Sequence, residues 1–239
     1  MTAETAPTTR RSWLVDFYRS AVGKKWVMAV TGIVLLAYVL AHMVGNLKIY
    51  LGPGELDEYA EALRDLLHPI LPRHVALWLM RTGLIVAFLL HVHAATVLTF
   101  MNRRARAVVY QGPREYLVAN YASRTMRWSG YIVGAFVIFH LMDLTWAIQP
   151  AATDQFVRGE VYTNVVASFS RVPVAVFYIL ANLLLGLHIY HGAWSMFQSL
   201  GVNNPRFNAW RRWFAQALAA VIVVGNVSFP VAVLAGWVG

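Results

Sequence analysis

Five stretches of the chain, at 26–50, 75–101, 128–148, 172–198 and 213–238, are apolar and long enough to cross a bilayer as helices. About 20 helical residues span the hydrocarbon core, and in lipid every backbone polar group must be satisfied within the protein. The fold predicted is therefore all-α: an integral membrane bundle of five transmembrane helices. Only 13% of residues are charged and 59% are hydrophobic, where a soluble domain carries roughly 25% and 45–50%. The linkers are too short for a second fold. Residues 1–21 read as an N-terminal segment in which Trp13, Leu14 and Phe17 form one face of a short helix lying on the membrane surface. Residues 22–239 read as one membrane domain.

The net charge of +9 has a topological cause. Arg10, Arg11, Arg19, Lys24 and Lys25 precede the first span. Arg103, Arg104, Arg106, Arg114, Arg124 and Arg127 lie between the second and third, and Arg206, Arg211 and Arg212 between the fourth and fifth. The other connections are acidic or balanced: Glu55, Asp57, Glu58, Glu61 and Asp65 against Arg64 and Arg73, then Asp154 and Glu160 against Arg158 and Arg171. Alternation of this kind follows the positive-inside rule and predicts a cytoplasmic N-terminus and an external C-terminus. It accounts for the charge without a nucleic-acid partner. The chain has no cysteine, so an iron–sulfur cluster working with it must sit on another subunit.

Ionisable residues at membrane depth are costly and mark function. Here they are His42, Arg81, His91, His93, His140, Asp143, His188 and His191. With a rise of about 1.5 Å per residue, His42 sits roughly 25 Å and His140 roughly 20 Å from the cytoplasmic ends of their helices. His93 and His188 sit about 27 Å and 24 Å from the outer ends of theirs. Two layers result, an outer one (His42, His140) and an inner one (His93, His188), each drawing on two helices. Two facing imidazoles suit a haem b, whose porphyrin supplies four equatorial nitrogens and leaves two axial positions. The pairing stays open: His91 and His93 point about 200° apart around their helix, and His188 and His191 about 60°. Glycines add support. Gly32, Gly83 and Gly130 each lie ten residues before His42, His93 and His140. That is about 15 Å of helix, so each glycine gives a flat macrocycle room at the level of the other layer. Spans 1–2 and 3–4 thus look like an internal repeat, which Tyr178 interrupts in the fourth span.

These residues bring a family into view. Thr31-Gly32 with Leu40-Ala41-His42-Met43-Val44-Gly45-Asn46, His93-Ala94, Ser129-Gly130 with Phe139-His140-Leu141, and His188-Ile189-Tyr190-His191-Gly192-Ala193-Trp194-Ser195 carry the likeness. Over nearly its whole length the chain resembles the cytochrome b membrane-anchor subunit of succinate:quinone oxidoreductases, in the single-subunit, five-helix, two-haem class. The resemblance implies two haem b groups, held by His42/His140 and His93/His188, and selects His93 over His91 and His188 over His191. It implies a flavoprotein partner with FAD, an iron–sulfur partner, and menaquinone as substrate near the outer surface. It places the protein, as a multi-pass subunit, in the cytoplasmic (inner) membrane of a prokaryote. Electrons would pass from the iron–sulfur protein to the inner haem, then to the outer haem and the quinone. Arg81, Asp143 and Asn46 are the candidates for the quinone site, Asp143 as proton donor or as a partner of Arg81. Some fumarate-reducing members carry a glutamate where this chain has Gly186, which favours succinate oxidation. A quinol:fumarate reductase subunit, or the cytochrome b of another membrane oxidoreductase, is the alternative.

Overall fold

The computed structural model describes residues 12–105, 121–202 and 204–239. Arg10, Arg11, Arg106 and Arg114 of the charge pattern lie outside them. Every regular element among the described residues is helical: α1 (Trp13–Arg19), α2 (Ala21–Asn46), α3 (Pro53–Arg64), α4 (Val75–Arg104), α5 (Tyr121–Leu141), α6 (Val161–Phe169), α7 (Val172–Ser199) and α8 (Asn208–Leu234). The five spans long and apolar enough to cross a membrane are Ala21–Leu51, Val75–Arg104, Met126–Trp146, Val172–Ser199 and Pro205–Leu234. Trp78, Ile85 and Leu89 on α4, Ile138 on α5 and Val224 on α8 stay exposed on the outside of the bundle. Lipid, not water, is the solvent for such a surface. The chain is a multi-pass membrane protein.

Helix and apolar run differ at their ends for one reason. The run measures the hydrocarbon core, while the helix continues into the headgroup layer. So α2 starts at Ala21 and takes in Lys24 and Lys25, and α8 starts at Asn208 and takes in Arg211 and Arg212. The third span does not run evenly to 148. It gives way to a π-helical turn at Met142–Trp146. The expected surface helix is α1, whose Trp13, Leu14 and Phe17 are all exposed. Ser20 turns the chain from α1 into α2 by accepting a hydrogen bond from the Gly23 amide at 2.9 Å. At this corner the Phe17 carbonyl lies against Gly23, and any side chain there would collide with it.

The spans pair as α2 with α4, α5 with α7, and α7 with α8, while α2 also leans on α7. Small residues make the close contacts: Ala175, Ala181 and Ala193 of α7 and Ala215, Ala219 and Ala232 of α8 are buried. Val223 closes over Gly186, and Met43 closes over Gly225. Membrane helices gain nothing from expelling lipid tails, so close backbone packing of this kind holds them together. By contrast, α2 makes no extensive contact with α5, nor α4 with α7. Those are the helices whose histidines face one another.

Two short helices, α3 and α6, cover one end, where the Tyr162 amide donates to Asp57 at 3.0 Å. Beneath them lies a buried polar cluster. Asp143, 0% exposed, sits on the π turn. It pairs with Arg171 at 2.9 Å and accepts from Ser168 at 2.5 Å and Tyr178 at 2.8 Å. One carboxylate thereby ties α5 to α6 and α7. Removing one member of a buried pair strands the other charge at a cost of about 3 kcal/mol, whereas an apolar replacement of both does not. Arg171→Met should lower the thermal midpoint in detergent clearly, and Asp143→Leu combined with Arg171→Met should restore part of the loss.

Candidate functional site

His42 and His140 meet toward the end capped by α3 and α6. Their ring centres are 5.9 Å apart and the planes cross at 81°. Tyr38 stacks on His42 at 5.4 Å and 16°, and Phe136 lies 6.0 Å from His140. The expected pairing of α2 with α5 is present as geometry.

The second pair is His91 with His188, not His93 with His188. Ring centres of His91 and His188 are 6.4 Å apart, crossed at 63°. His93 is exposed and turned away, with its Nδ1 2.5 Å from the Tyr18 hydroxyl and its ring stacked on Tyr18 at 5.8 Å. Two residues are a small change in depth but about 200° of helical phase, so only one of the two histidines can face α7. Register agrees: His91 lies 16 residues after Val75, where α4 begins, and His188 lies 16 after Val172, where α7 begins. His93 instead fastens α1 to the bundle, together with Lys24, whose Nζ donates to the Tyr18 carbonyl at 2.8 Å and lies 4.2 Å from the Tyr18 ring centre.

Matching cradles hold His91 and His188. On α2, His91 Nδ1 lies 3.1 Å from the Met28 carbonyl and 3.3 Å from the Thr31 hydroxyl. On α5, His188 Nδ1 lies 3.4 Å from the Ser129 hydroxyl, whose own proton goes to the Met126 carbonyl at 3.0 Å. A Cβ on Gly32 would stand 3.3 Å from His91 Cε1, and one on Gly130 would stand 3.3 Å from His188 Cε1. So the two glycines do sit at the level of the other layer, each against an imidazole. Gly32 is ten residues from His42 and Gly130 ten from His140, which separates the layers by about 15 Å of helix. Gly83 has no such neighbour; a Cβ there meets nothing within 4 Å.

Hydrogen-bond direction fixes the tautomers. A carbonyl only accepts, so His91 Nδ1 carries the proton toward Met28. Ser129 donates to the Met126 carbonyl, so its oxygen is left to accept from His188 Nδ1. Tyr178 donates to Asp143. Its oxygen, 3.3 Å from His140 Nδ1, is thus left to accept from that nitrogen. In all three rings Nε2 keeps its lone pair, and a metal-ligating histidine donates its other nitrogen in just this way.

Among the described residues no group of three or more His, Cys, Asp or Glu converges on one point. Each site offers two imidazoles, too few for a bare zinc ion. Two suffice for a metal that brings its own equatorial ligands. An imidazole nitrogen binds a first-row metal at about 2 Å and lies about 1.1 Å from its ring centre, so two axial imidazoles on one ion have centres roughly 6 Å apart. Both observed separations match, so the residues fit haem.

The remaining candidates fall elsewhere. Asp143 is enclosed by Ser168, Arg171 and Tyr178, so its ion pair is with Arg171 and not with the expected Arg81. Arg81 is exposed, with its guanidinium carbon 5.2 Å from the Trp78 ring centre. Asn46 ends α2 one turn beyond His42, and its side chain does not cap the turn that follows. His191 faces Trp194 at 6.4 Å, and its Nδ1 is buried without a partner. Sequence reasoning missed Met28, Met126, Tyr18 and the role of Tyr178. A signal for the first two was present: Met28, Thr31, Gly32 and His42 recur as Met126, Ser129, Gly130 and His140, each 98 residues later.

No family model, no curated protein and no solved structure matches the chain.

The role of His93 is testable without a cofactor. His93→Ala should free α1, seen as faster amide hydrogen exchange across 13–19, with little change in α4. Unchanged exchange would remove His93 from the docking of α1.

Proposed function

We propose that this chain is the membrane anchor and di-haem electron conduit of a succinate:quinone oxidoreductase. The observation that carries the haem reading is the pair of imidazole couples, 5.9 Å and 6.4 Å between ring centres, on helices that otherwise stand apart. His42 and His140 would hold one haem b, and His91 and His188 the other. Bound there, the two groups would carry single electrons between the faces of the membrane. The chain's own residues set the conditions. The Met28 carbonyl and the Ser129 hydroxyl keep the second pair in the ligating tautomer. Gly32 and Gly130 leave the imidazoles space, and Thr31 and Ser129 satisfy polar atoms that lipid would not.

Succinate and the partners rest on the resemblance of the histidine motifs to the five-helix, two-haem class. In this reading α1 lies at the cytoplasmic face of a prokaryotic inner membrane. A flavoprotein with FAD and an iron–sulfur protein dock there, near Lys24, Lys25 and Arg127, and the C-terminus lies outside. Menaquinone is reduced at the end covered by α3 and α6, where Arg81 and Asn46 are the polar groups offered to it. At Gly186, Val223 fills the space beside the backbone. An acidic side chain serving a transmembrane proton path has no room there, which supports succinate oxidation over fumarate reduction.

The purified complex should contain two haem b per anchor chain by pyridine haemochrome assay, and succinate should reduce them. His91→Ala should lower the content to one, while His93→Ala keeps both. A featureless reduced-minus-oxidised spectrum sinks the haem reading. Haem bands that succinate leaves oxidised would move the chain to another membrane oxidoreductase.

Gly130→Val tests the cradle separately. Branched carbons beside His188 should displace its ring and cost the haem held with His91, while the haem of His42 and His140 remains. Retention of both haems would show that the close approach at Gly130 is not needed.

A further inference from the structure

The two imidazole couples differ in what stands behind them. His91 and His188 lean on neutral groups: the Met28 carbonyl and the hydroxyls of Thr31 and Ser129. His140 leans on Tyr178, 4% exposed, whose own proton goes to the fully buried carboxylate of Asp143. The result is a chain of donors running one way, from His140 Nδ1–H to the Tyr178 oxygen and from Tyr178 O–H to Asp143 Oδ2. Polarised bonds in series strengthen one another in a low-dielectric interior. An anion at the far end makes the tyrosine oxygen a better acceptor and draws the imidazole toward imidazolate character. Arg171 holds the other carboxylate oxygen at 2.9 Å, which lets the charge stay buried without touching the histidine.

We infer that Tyr178, backed by Asp143, is a positioning residue that fixes His140 and lowers the reduction potential of the haem held by His42 and His140. This rests on the haem reading above. An outer ligand made more electron-rich stabilises ferric iron, and such partners tune a metal through its first ligands. Ser168 supplies an internal control, because it donates to the same Oδ2 as Tyr178 at 2.5 Å without touching His140.

The test is a redox titration of the purified complex, followed through the haem absorbance. His140→Ala, which should lose the adjacent haem, identifies which component belongs to the His42–His140 pair. Tyr178→Phe leaves Asp143 bonded to Ser168 and Arg171, so the fold should hold. It should shift the His42–His140 component to a more positive potential and leave the other unmoved. Ser168→Ala should shift the same component to a more negative potential, because Asp143 then bonds Tyr178 more strongly. Both haems present with an unmoved potential in Tyr178→Phe overturns the inference. If Tyr178→Phe sheds that haem, Ser168→Ala decides: a negative shift supports the inference and no shift overturns it. A wild-type complex without haem fails the haem reading itself, a distinguishable result.

Discussion

A ring nitrogen inside a bilayer has no water to bond, so an imidazole there is costly without a partner in the protein. That requirement organises this bundle. His91 reaches back to a carbonyl on the neighbouring helix, His188 to a hydroxyl on its own neighbour, and His140 to Tyr178. Each bond occupies Nδ1, fixes the ring's orientation and leaves Nε2 available. The helices carrying facing histidines are held apart, while the contacts that keep the bundle together run along α2–α4, α5–α7 and α7–α8. Packing and the facing histidines thus fall on different helix pairs.

Duplication simplifies the design. Two helix pairs, α2–α4 and α5–α7, carry the same cradle at a constant interval. Facing one another, they build one couple from the first helix of each pair and one from the second. The repeat breaks at Tyr178, which stands ten residues before His188 as Arg81 stands ten before His91. At that level the α5–α7 half has a buried network of Tyr178, Asp143, Ser168 and Arg171, and the α2–α4 half has an exposed arginine over Trp78. The layer near α3 and α6 is therefore the asymmetric one. Of the histidines in the two couples, it carries the one, among the described residues, whose partner hydrogen-bonds a charge.

Much of the site was legible in the chain. The five helices follow from apolar length alone. The two layers follow from helical rise, and His42, His140 and His188 stand where that arithmetic puts them. The choice between His91 and His93 was not legible by depth, because two residues change depth by about 3 Å. A motif beginning with histidine and alanine favoured His93. Helical phase decides for His91, and phase has meaning only once the neighbouring helix is in place. Asp143 stood out by its depth, but its partner did not, because Arg171 is 28 residues away across a turn, α6 and a bend in the chain. The short helices α3 and α6 were missed because α3 is polar and reads as linker, while α6, though mostly apolar, is too short to cross a bilayer.

By itself, the sequence determined that this protein lives in a membrane, with five helices and histidines on four of them. Lipid imposes that answer, since a long apolar run in a bilayer has to close its backbone bonds as a helix. Only the tertiary structure decided which imidazoles face each other, which nitrogen each has free and what stands behind it. Those are properties of contacts between helices. Side-chain direction repeats every 3.6 residues along one helix, and its meaning depends on where the next helix stands.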